Sequence, residues 1–125
     1  MQYRILKSNQ SRVRCLNWKK TVKVEADKII KLYDPYLIGS LYIKENWIYN
    51  LVVNPKYRNK GYGSKLLKIA EKEIFKKYNK VRLTPQDNNN SLRKFYSKNG
   101  YEGYSKDNPY YEEEDKGWWE MWKLQ

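Results

Sequence analysis

The sequence has no histidine and only one cysteine, Cys15. No disulfide can form within the chain, and zinc sites built from cysteine or histidine are excluded, as is every Ser-His or Cys-His catalytic arrangement. A catalytic base would have to be a carboxylate, a tyrosine, an amine or a water molecule. We therefore expect no metal cofactor.

Long hydrophobic runs are absent as well. The first ten residues contain no apolar segment typical of a secretory signal, and no stretch approaches the roughly 20 apolar residues that a membrane-spanning helix needs. The chain has 125 residues without an internal repeat or a long low-complexity linker, which predicts a single domain over residues 1–125. We expect a cytoplasmic protein with no membrane partner, either a monomer or a homodimer.

Acidic residues are scarce beside basic ones: 26 Lys and Arg stand against 14 Asp and Glu, for a net charge of +12. The positive electrostatic field of such a charge attracts anions and raises the rate at which the protein encounters them. Coenzyme A, with three phosphates, is one suitable anion; nucleic acid and an acidic protein surface are others. Lysine also accumulates in proteins of AT-rich genomes, so charge alone does not select among these partners.

Residues 52–67, VVNPKYRNKGYGSKLL, predict a strand, a glycine-rich turn and a helix. Gly61 and Gly63 lack Cβ atoms, so the backbone N–H groups from Arg58 to Ser64 can approach an anion closely. The helix that follows, with helical periodicity over residues 64–78, adds positive potential at its first turn. The pattern predicts a cradle for a pyrophosphate.

Two motifs together resemble one family. The turn is neither a Walker P-loop nor a Rossmann turn, because their glycine spacings are absent. Its form, R-x-x-G-x-G at residues 58–63, is similar to the acyl-CoA-binding motif of the GNAT superfamily of N-acetyltransferases. Residues 89–101, NNSLRKFYSKNGY, resemble that family's second signature, N-x-[AS]-x-x-x-[FL]-Y-x-x-x-G-[FY]. The resemblance covers residues 37–124; the alternative is an α/β domain whose glycine turn binds nothing.

The resemblance implies an α/β (α+β) fold. Its central sheet would be mixed and mostly antiparallel, with a splayed parallel pair formed by residues 47–53 and 81–84, and a cradle helix after the R-x-x-G-x-G turn. Short strands are predicted at 3–6, 13–18, 21–25 and 36–44, whereas 29–33 fits either a strand or one helical turn. No long amphipathic helix precedes residue 36, so the two N-terminal helices of the family are reduced. A cleft that is open on this side favours a large acceptor.

The resemblance also implies which residues hold acetyl-CoA, the expected cosubstrate. The pantetheine arm would fill the gap between the splayed strands and contact the backbone of Leu51, Val52 and Val53. Asn89 matches the family asparagine that helps hold the cofactor, and helix capping is compatible with that role. The cradle itself would consist of Arg58, Asn59, Lys60, Gly61, Tyr62, Gly63 and Ser64.

Tyr96 occupies the position of the family tyrosine that protonates the leaving thiolate, with core packing beside Phe95 as the alternative role. The identity of the general base is not determined by the resemblance. The family glutamate position on the central strand holds Trp47, and Glu45 lies two residues away in a predicted turn. Tyr49, Asn50 or an acid from the last loop could align a water that relays the proton.

Residues 101–104 and 118–124 are predicted to be the last two strands, joined by a loop that carries the acidic run 112–115. This run would attract a cationic amine, or it is an ordinary solvated acidic loop. The resemblance implies an N-acetyltransferase that moves an acetyl group to a primary amine, with a protein lysine or N-terminus favoured over a polyamine or small amine. The alternative is a non-catalytic GNAT-like module that binds nucleic acid or an acidic protein.

Overall fold

The computed structural model describes residues 2–7, 11–15, 18–85, 90–103 and 120–125. Nine strands and two α-helices form in this part of the chain, and a short 3₁₀ turn at Pro55–Tyr57 leads from the sheet towards the first helix. The strands are β1 (Gln2–Leu6), β2 (Ser11–Arg14), β3 (Thr21–Val24), β4 (Lys28–Tyr33), β5 (Leu37–Lys44), β6 (Trp47–Val53), β7 (Lys80–Leu83), β8 (Glu102–Gly103) and β9 (Met121–Leu124). The helices are α1 (Tyr62–Ile74) and α2 (Asn90–Lys98).

Seven strands form one sheet in the order β1-β4-β5-β6-β7-β9-β8. The pair β6–β7 is parallel, and every other pair in the described part of the sheet is antiparallel. A parallel pair needs a long crossover, and the cradle turn and α1 supply it between β6 and β7. The predicted mixed, mostly antiparallel sheet with one parallel pair is confirmed.

The main core lies between the sheet and α1. Leu66, Leu67, Ala70 and Ile74 recur at helical spacing on the buried side of α1, where none is more than 2% exposed. They meet apolar side chains that alternate along the strands, and Tyr96 of α2 joins the same core. The sheet residues of this core include Ile30, Leu32, Leu41, Ile43, Ile48, Val81, Leu83 and Met121.

A bulge interrupts β6 in the middle of the sheet. Between the paired residues Ser40↔Val52 and Tyr42↔Tyr49, β5 has one residue and β6 has two. Asn50 accommodates the extra residue with a left-handed backbone, φ 54°. Bulged strands bend, which turns the last part of β6 away from its earlier direction.

The N-terminal region contains a β-hairpin where the family has helices. β2 and β3 form a separate two-stranded antiparallel sheet, and the described residues before β4 include no helix. Val13 of the hairpin is buried with Ala26 and with Ile29 of β4 in a second, smaller core. The predicted reduction of the N-terminal helices is confirmed, and the hairpin takes their place in the chain.

Several predicted boundaries were wrong. The helix expected over 64–78 begins earlier, at Tyr62, and ends at Ile74. Beyond it, the Lys77 N–H bonds to the Ile74 carbonyl three residues back, in place of an α-helical bond four residues back. The strand expected over 13–18 stops at Arg14; Trp18 has a left-handed backbone, φ 68°, which a strand does not permit. The ambiguous segment 29–33 is a strand.

The last two strands lie within their predicted ranges, but among the described residues they begin one position later than the predictions require, because Tyr101 and Glu120 are not in strands. Residues 86–89 and 104–119, which include the acidic run 112–115, lie outside the described residues. Neither α1 nor α2, the two helices of the described ranges, has the length and apolar character required to cross a membrane.

Gly39 of β5 packs directly against the end of β6. A Cβ atom at this position would lie 2.7 Å from the Val52 carbonyl oxygen and 2.9 Å from Leu66 Cδ1 of α1. We predict that Gly39→Ala lowers the free energy of unfolding by about 1–3 kcal/mol through overpacking, measured by urea denaturation.

Ser40→Ala is the matched control for this substitution. Ser40 is 1% exposed, and its hydroxyl has no hydrogen-bond partner among the described residues. Removing an unsatisfied hydroxyl is neutral or slightly stabilising. Equal losses of stability in the two variants would contradict the assigned role of Gly39.

Candidate active site

The strands β6 and β7 separate soon after they pair. Their register covers only Trp47↔Arg82 and Ile48↔Leu83, so the last five residues of β6 run on without a β7 partner. On the other edge, Val52 and Val53 still pair with Ser40 and Gly39 of β5. The predicted splay is therefore present, and it begins at the bulge. An extended ligand can add to such an exposed backbone edge as a strand would.

The turn after β6 has the backbone shape that its glycines predict. Asn59 and Gly61 both have left-handed backbones, with φ 62° and 84°. Gly61 is the N-cap of α1 and offers no side-chain acceptor to the N–H groups of the first helical turn. A Cβ atom on Gly61 would meet no described atom within 4 Å, so a ligand can approach the backbone there. Turns of this kind, with a helix N-terminus, favour anions.

Arg58 connects the turn to the end of β6. Its Nε atom donates a hydrogen bond to the Val53 carbonyl oxygen at 3.1 Å, while the side chain stays exposed. Asn54 begins the intervening 3₁₀ turn by accepting a hydrogen bond from the Lys56 N–H. The guanidinium is thereby held between the strand end and the anion-favouring turn.

Tyr96 lies in the buried part of α2. It is 7% exposed and packs edge-on against Phe95 and Tyr101, with ring centroids 5.2 and 5.9 Å away. Burial raises the pKa of the Tyr96 hydroxyl to about 12, because the phenolate would lose its hydration. In the described part of the chain this hydroxyl has no hydrogen-bond partner. It therefore stays protonated at neutral pH and is able to donate.

Phe95 links α2 to the cradle turn. A Cβ atom on Gly63 would lie 3.0 Å from the Phe95 ring, so the second glycine allows α2 to pack close to the first turn of α1. Gly100, φ 92°, ends α2 with two capping bonds, from the Tyr101 N–H to the Tyr96 carbonyl and from the Gly100 N–H to the Ser97 carbonyl. The end of α2 that carries Tyr96 is therefore held firmly.

The predicted residues thus occupy one region: the free end of β6, the left-handed turn, and the N-terminal part of α1. They are Leu51, Val52, Val53, Arg58, Asn59, Lys60, Gly61, Tyr62, Gly63 and Ser64. Tyr96 follows Phe95, the residue that contacts Gly63. Asn89 lies outside the described residues.

A model of the acetyltransferase (GNAT) domain family matches residues 21–103, which is more than half of the chain. The chain belongs to the GNAT acetyltransferase family. This confirms the resemblance carried by the two sequence motifs, and it makes the protein an acetyl-CoA-dependent N-acetyltransferase. A comparison with curated proteins finds no match.

Solved structures share the GNAT fold. A protein described as a streptothricin acetyltransferase from Bacillus anthracis, solved with acetyl-CoA, superposes with a TM-score of 0.63 at 18% identity, covering 98% of this chain and 87% of that one. The protein PH1933 from Pyrococcus horikoshii gives 0.64 at 18% identity over 99% of both chains. PaiA N-acetyltransferase from Thermoplasma acidophilum, solved with coenzyme A, gives 0.59 at 29% identity over 78% of this chain and 60% of its own.

The described residues of this GNAT domain fit the acetyl-CoA that the family uses. The splayed strands offer a free backbone edge, and Gly61 leaves the helix N-terminus accessible. Within the described ranges, no cluster of three or more acidic or cysteine side chains is placed to hold a metal ion.

The structure places Glu45 in the predicted turn. Glu45 lies in the β5–β6 turn with φ 56°, and its N–H donates to Asp27, so it sits at the opposite end of β6 from the cradle. Tyr49 and Asn50 lie next to the splay. The Asn50 side chain is already engaged, because its Nδ2 donates to the Arg14 carbonyl of the hairpin at 2.7 Å.

The Asn50 bulge and the polar cluster that fixes α1 to the sheet have no counterpart among the sequence predictions. In this cluster, Glu71 accepts hydrogen bonds from the Tyr101 hydroxyl at 2.8 Å and from Lys123 at 3.0 Å. Burial, followed by the Glu71 carboxylate, raises the pKa of Tyr101. A left-handed asparagine in a strand has no strong local signal, and the cluster joins residues far apart in sequence.

Reversing the charge of Arg58 should weaken acetyl-CoA binding. We predict that Arg58→Glu raises the Kd roughly tenfold to a hundredfold, the range expected for losing a charge-assisted contact, as measured by isothermal titration calorimetry. Lys77→Glu makes the same change of charge at an exposed site beyond the far end of α1 and should have little effect. An equal rise in the Kd for acetyl-CoA in both variants would mean that binding depends only on the net charge of the protein and not on the position of Arg58.

Proposed function

We propose that this GNAT domain transfers the acetyl group of acetyl-CoA to a primary amine, and that a protein lysine or N-terminus is favoured over a polyamine or a small amine. One observation carries the proposal: the edge of β6 that β7 leaves open ends at the left-handed turn, beside the helix that bears Tyr96. A binding edge, an anion cradle and a proton donor therefore belong to one region.

The chain would hold acetyl-CoA by its backbone more than by its side chains. The N–H and C=O groups of Leu51, Val52 and Val53 are the proposed contacts of the pantetheine arm. Residues 58–64 would receive the pyrophosphate, with Arg58 as the charged side chain, and Asn89 would support the neighbouring loop. Backbone donors at a helix N-terminus suit a pyrophosphate because they are fixed in place before the ligand arrives.

Acetyl-CoA, when bound, supplies an acetyl group activated as a thioester. Tyr96 would donate the proton that the departing thiol needs, and burial among Phe95 and Tyr101 keeps that proton on its hydroxyl until then. A backbone N–H around Val52 or Val53 would stabilise the charge that develops on the carbonyl oxygen.

The acceptor amine has to reach the thioester in its neutral form. Tyr49 lies 38% exposed on β6 beside the splay, and it would order a water molecule that takes the amine proton. The aromatic side chains of Tyr42, Tyr49 and Trp47 form a stacked row at this point, with ring centroids 5.1 and 6.2 Å apart.

The open front of the fold supports a large acceptor. Before β4 the described residues form a strand and a hairpin, and the hairpin is tied to β6 by the bond between Asn50 and Arg14. A peptide segment needs such an open approach, whereas a small metabolite is usually enclosed on most sides. The non-catalytic alternative requires that acetyl-CoA binds weakly or not at all.

An acceptor panel tests this proposal. The purified chain is incubated with acetyl-CoA and, separately, with a lysine peptide, a peptide bearing only a free N-terminus, spermidine and an aminoglycoside; release of the free thiol is followed. We expect the highest kcat/KM with one of the peptides. Faster turnover of spermidine or the aminoglycoside would overturn the acceptor assignment, and a failure to bind acetyl-CoA would overturn the enzyme itself.

Replacement of Tyr96 should act on turnover. We predict that Tyr96→Phe lowers kcat by about a hundredfold or more, within the usual range for general acid catalysis, while the KM for acetyl-CoA changes little. Tyr101→Phe is the control, since it removes a buried hydroxyl that bonds to Glu71 and should reduce stability more than kcat.

The pH dependence of the activity is a second test of Tyr96 as the general acid. Because the pKa of Tyr96 is about 12, the acid stays protonated as the pH rises, while a lysine acceptor, with an ordinary pKa of about 10.4, loses its proton. Activity should therefore rise up to about pH 10 without a descending limb. A descending limb near pH 8 would contradict Tyr96 as the acid.

A further inference from the structure

Every exposed position of α1 is a lysine. Its thirteen residues are buried or half-buried except Lys65, Lys68 and Lys72. Their spacing of three and four residues places them on one side of the helix, and exposed Lys76 continues the line in the turn beyond Ile74. We call Lys65, Lys68 and Lys72 the lysine stripe.

The acidic residues of α1 do not pair with the lysine stripe. Both acidic residues of α1 are engaged elsewhere: Glu71 bonds to Lys123 and Tyr101, and Glu73 bonds to Lys28 and Lys76. In the described part of the chain, the three lysines of the stripe form no ion pair and no side-chain hydrogen bond. Three exposed positive charges therefore lie along one helix.

The second helix adds to this charge. Lys94 and Lys98, one turn apart, are both exposed on α2, and the basic residues of that helix have no acidic neighbour within it. The two helices pack against each other where Gly63 meets Phe95. The two helices together thus carry five exposed lysines.

The exposed residues of α1 favour one class of binding partner over two others. A membrane surface would need exposed apolar side chains beside the lysines, and the apolar side of α1 is buried in the core. A single strand would need exposed aromatic rings for stacking, and α1 exposes only lysines. Lysines on one side of a helix, with Cβ atoms about 5–6 Å apart, form a regular row of cations that suits the regular phosphates of a duplex.

We propose that the lysine stripe of α1 binds the phosphate backbone of duplex nucleic acid without reading its sequence. The proposal does not depend on the acetyl-transfer activity, because none of the three lysines is part of the proposed acetyl-CoA site. Binding of this kind works by releasing counterions, so its affinity falls with salt in proportion to the number of phosphate contacts.

Fluorescence anisotropy with a labelled random-sequence DNA duplex, without acetyl-CoA, tests the proposal over a series of salt concentrations. The stripe variant is Lys65→Gln, Lys68→Gln, Lys72→Gln. The matched control is Lys20→Gln, Lys23→Gln, Lys44→Gln, which removes the same charge from exposed positions on the hairpin and β5. Thermal unfolding followed by circular dichroism establishes that all three proteins are folded.

We expect the stripe variant to bind at least about tenfold more weakly than the wild type at low salt, with a salt slope smaller by about 2.7, or about 0.9 for each lysine removed. The control variant should keep the wild-type slope to within about one unit. Equal losses in both variants, a larger loss in the control, or no binding by the wild type at low salt would each overturn the proposal. Displacement of the duplex by polyglutamate at equal charge concentration would favour an acidic protein and overturn it too.

Discussion

The close contact between Gly39 and the end of β6 is the constraint on which the active region depends. Val52 lies so near to Gly39 that no larger residue fits between β5, β6 and α1 without displacement. The bulge at Asn50 inserts one extra residue just before this contact, so β6 stays paired with β5 while it leaves β7. The backbone edge of residues 51–53 is available to a ligand because β6 stays paired with β5 there and is no longer paired with β7. The hairpin bond to the Asn50 side chain holds the bulge in place.

In α1, repulsion between lysines opposes helix formation, and burial of the apolar side chains outweighs it. Lysines three and four residues apart repel each other by about 0.2–0.5 kcal/mol per pair, and the helix macrodipole disfavours cations in its first turn. Burial of Leu66, Leu67 and Ile74 contributes about 1.5–3 kcal/mol for each side chain. The helix therefore forms despite its charge. Its positive potential then reinforces that of the turn, which suits an anionic ligand.

Tyr96 and Tyr101 are buried in the same core, but their hydroxyl groups differ in their hydrogen-bond partners and therefore in their roles. The Tyr101 hydroxyl donates to Glu71 and so joins α1 to the segment between α2 and β8, while Lys123 joins the same carboxylate to β9. Tyr96 packs against the same ring, yet its hydroxyl has no hydrogen-bond partner in the described ranges. A satisfied buried hydroxyl stabilises the fold, whereas an available one can serve a ligand. Raised pKa values are common to both tyrosines, so proton affinity alone does not distinguish them.

By itself, the sequence determined the family, the cradle turn and the strand pair around it, because each depends on local residue types: paired glycines and alternating apolar residues. The tertiary structure alone decided where β6 leaves β7, that α1 ends at Ile74 rather than Tyr78, and that β2 and β3 pair as a hairpin whose Val13 packs against β4. It also brought Glu71 to Tyr101 and Lys123, 30 and 52 residues away along the chain. These features arise from contacts between distant segments, and such contacts leave no periodicity or motif in the sequence.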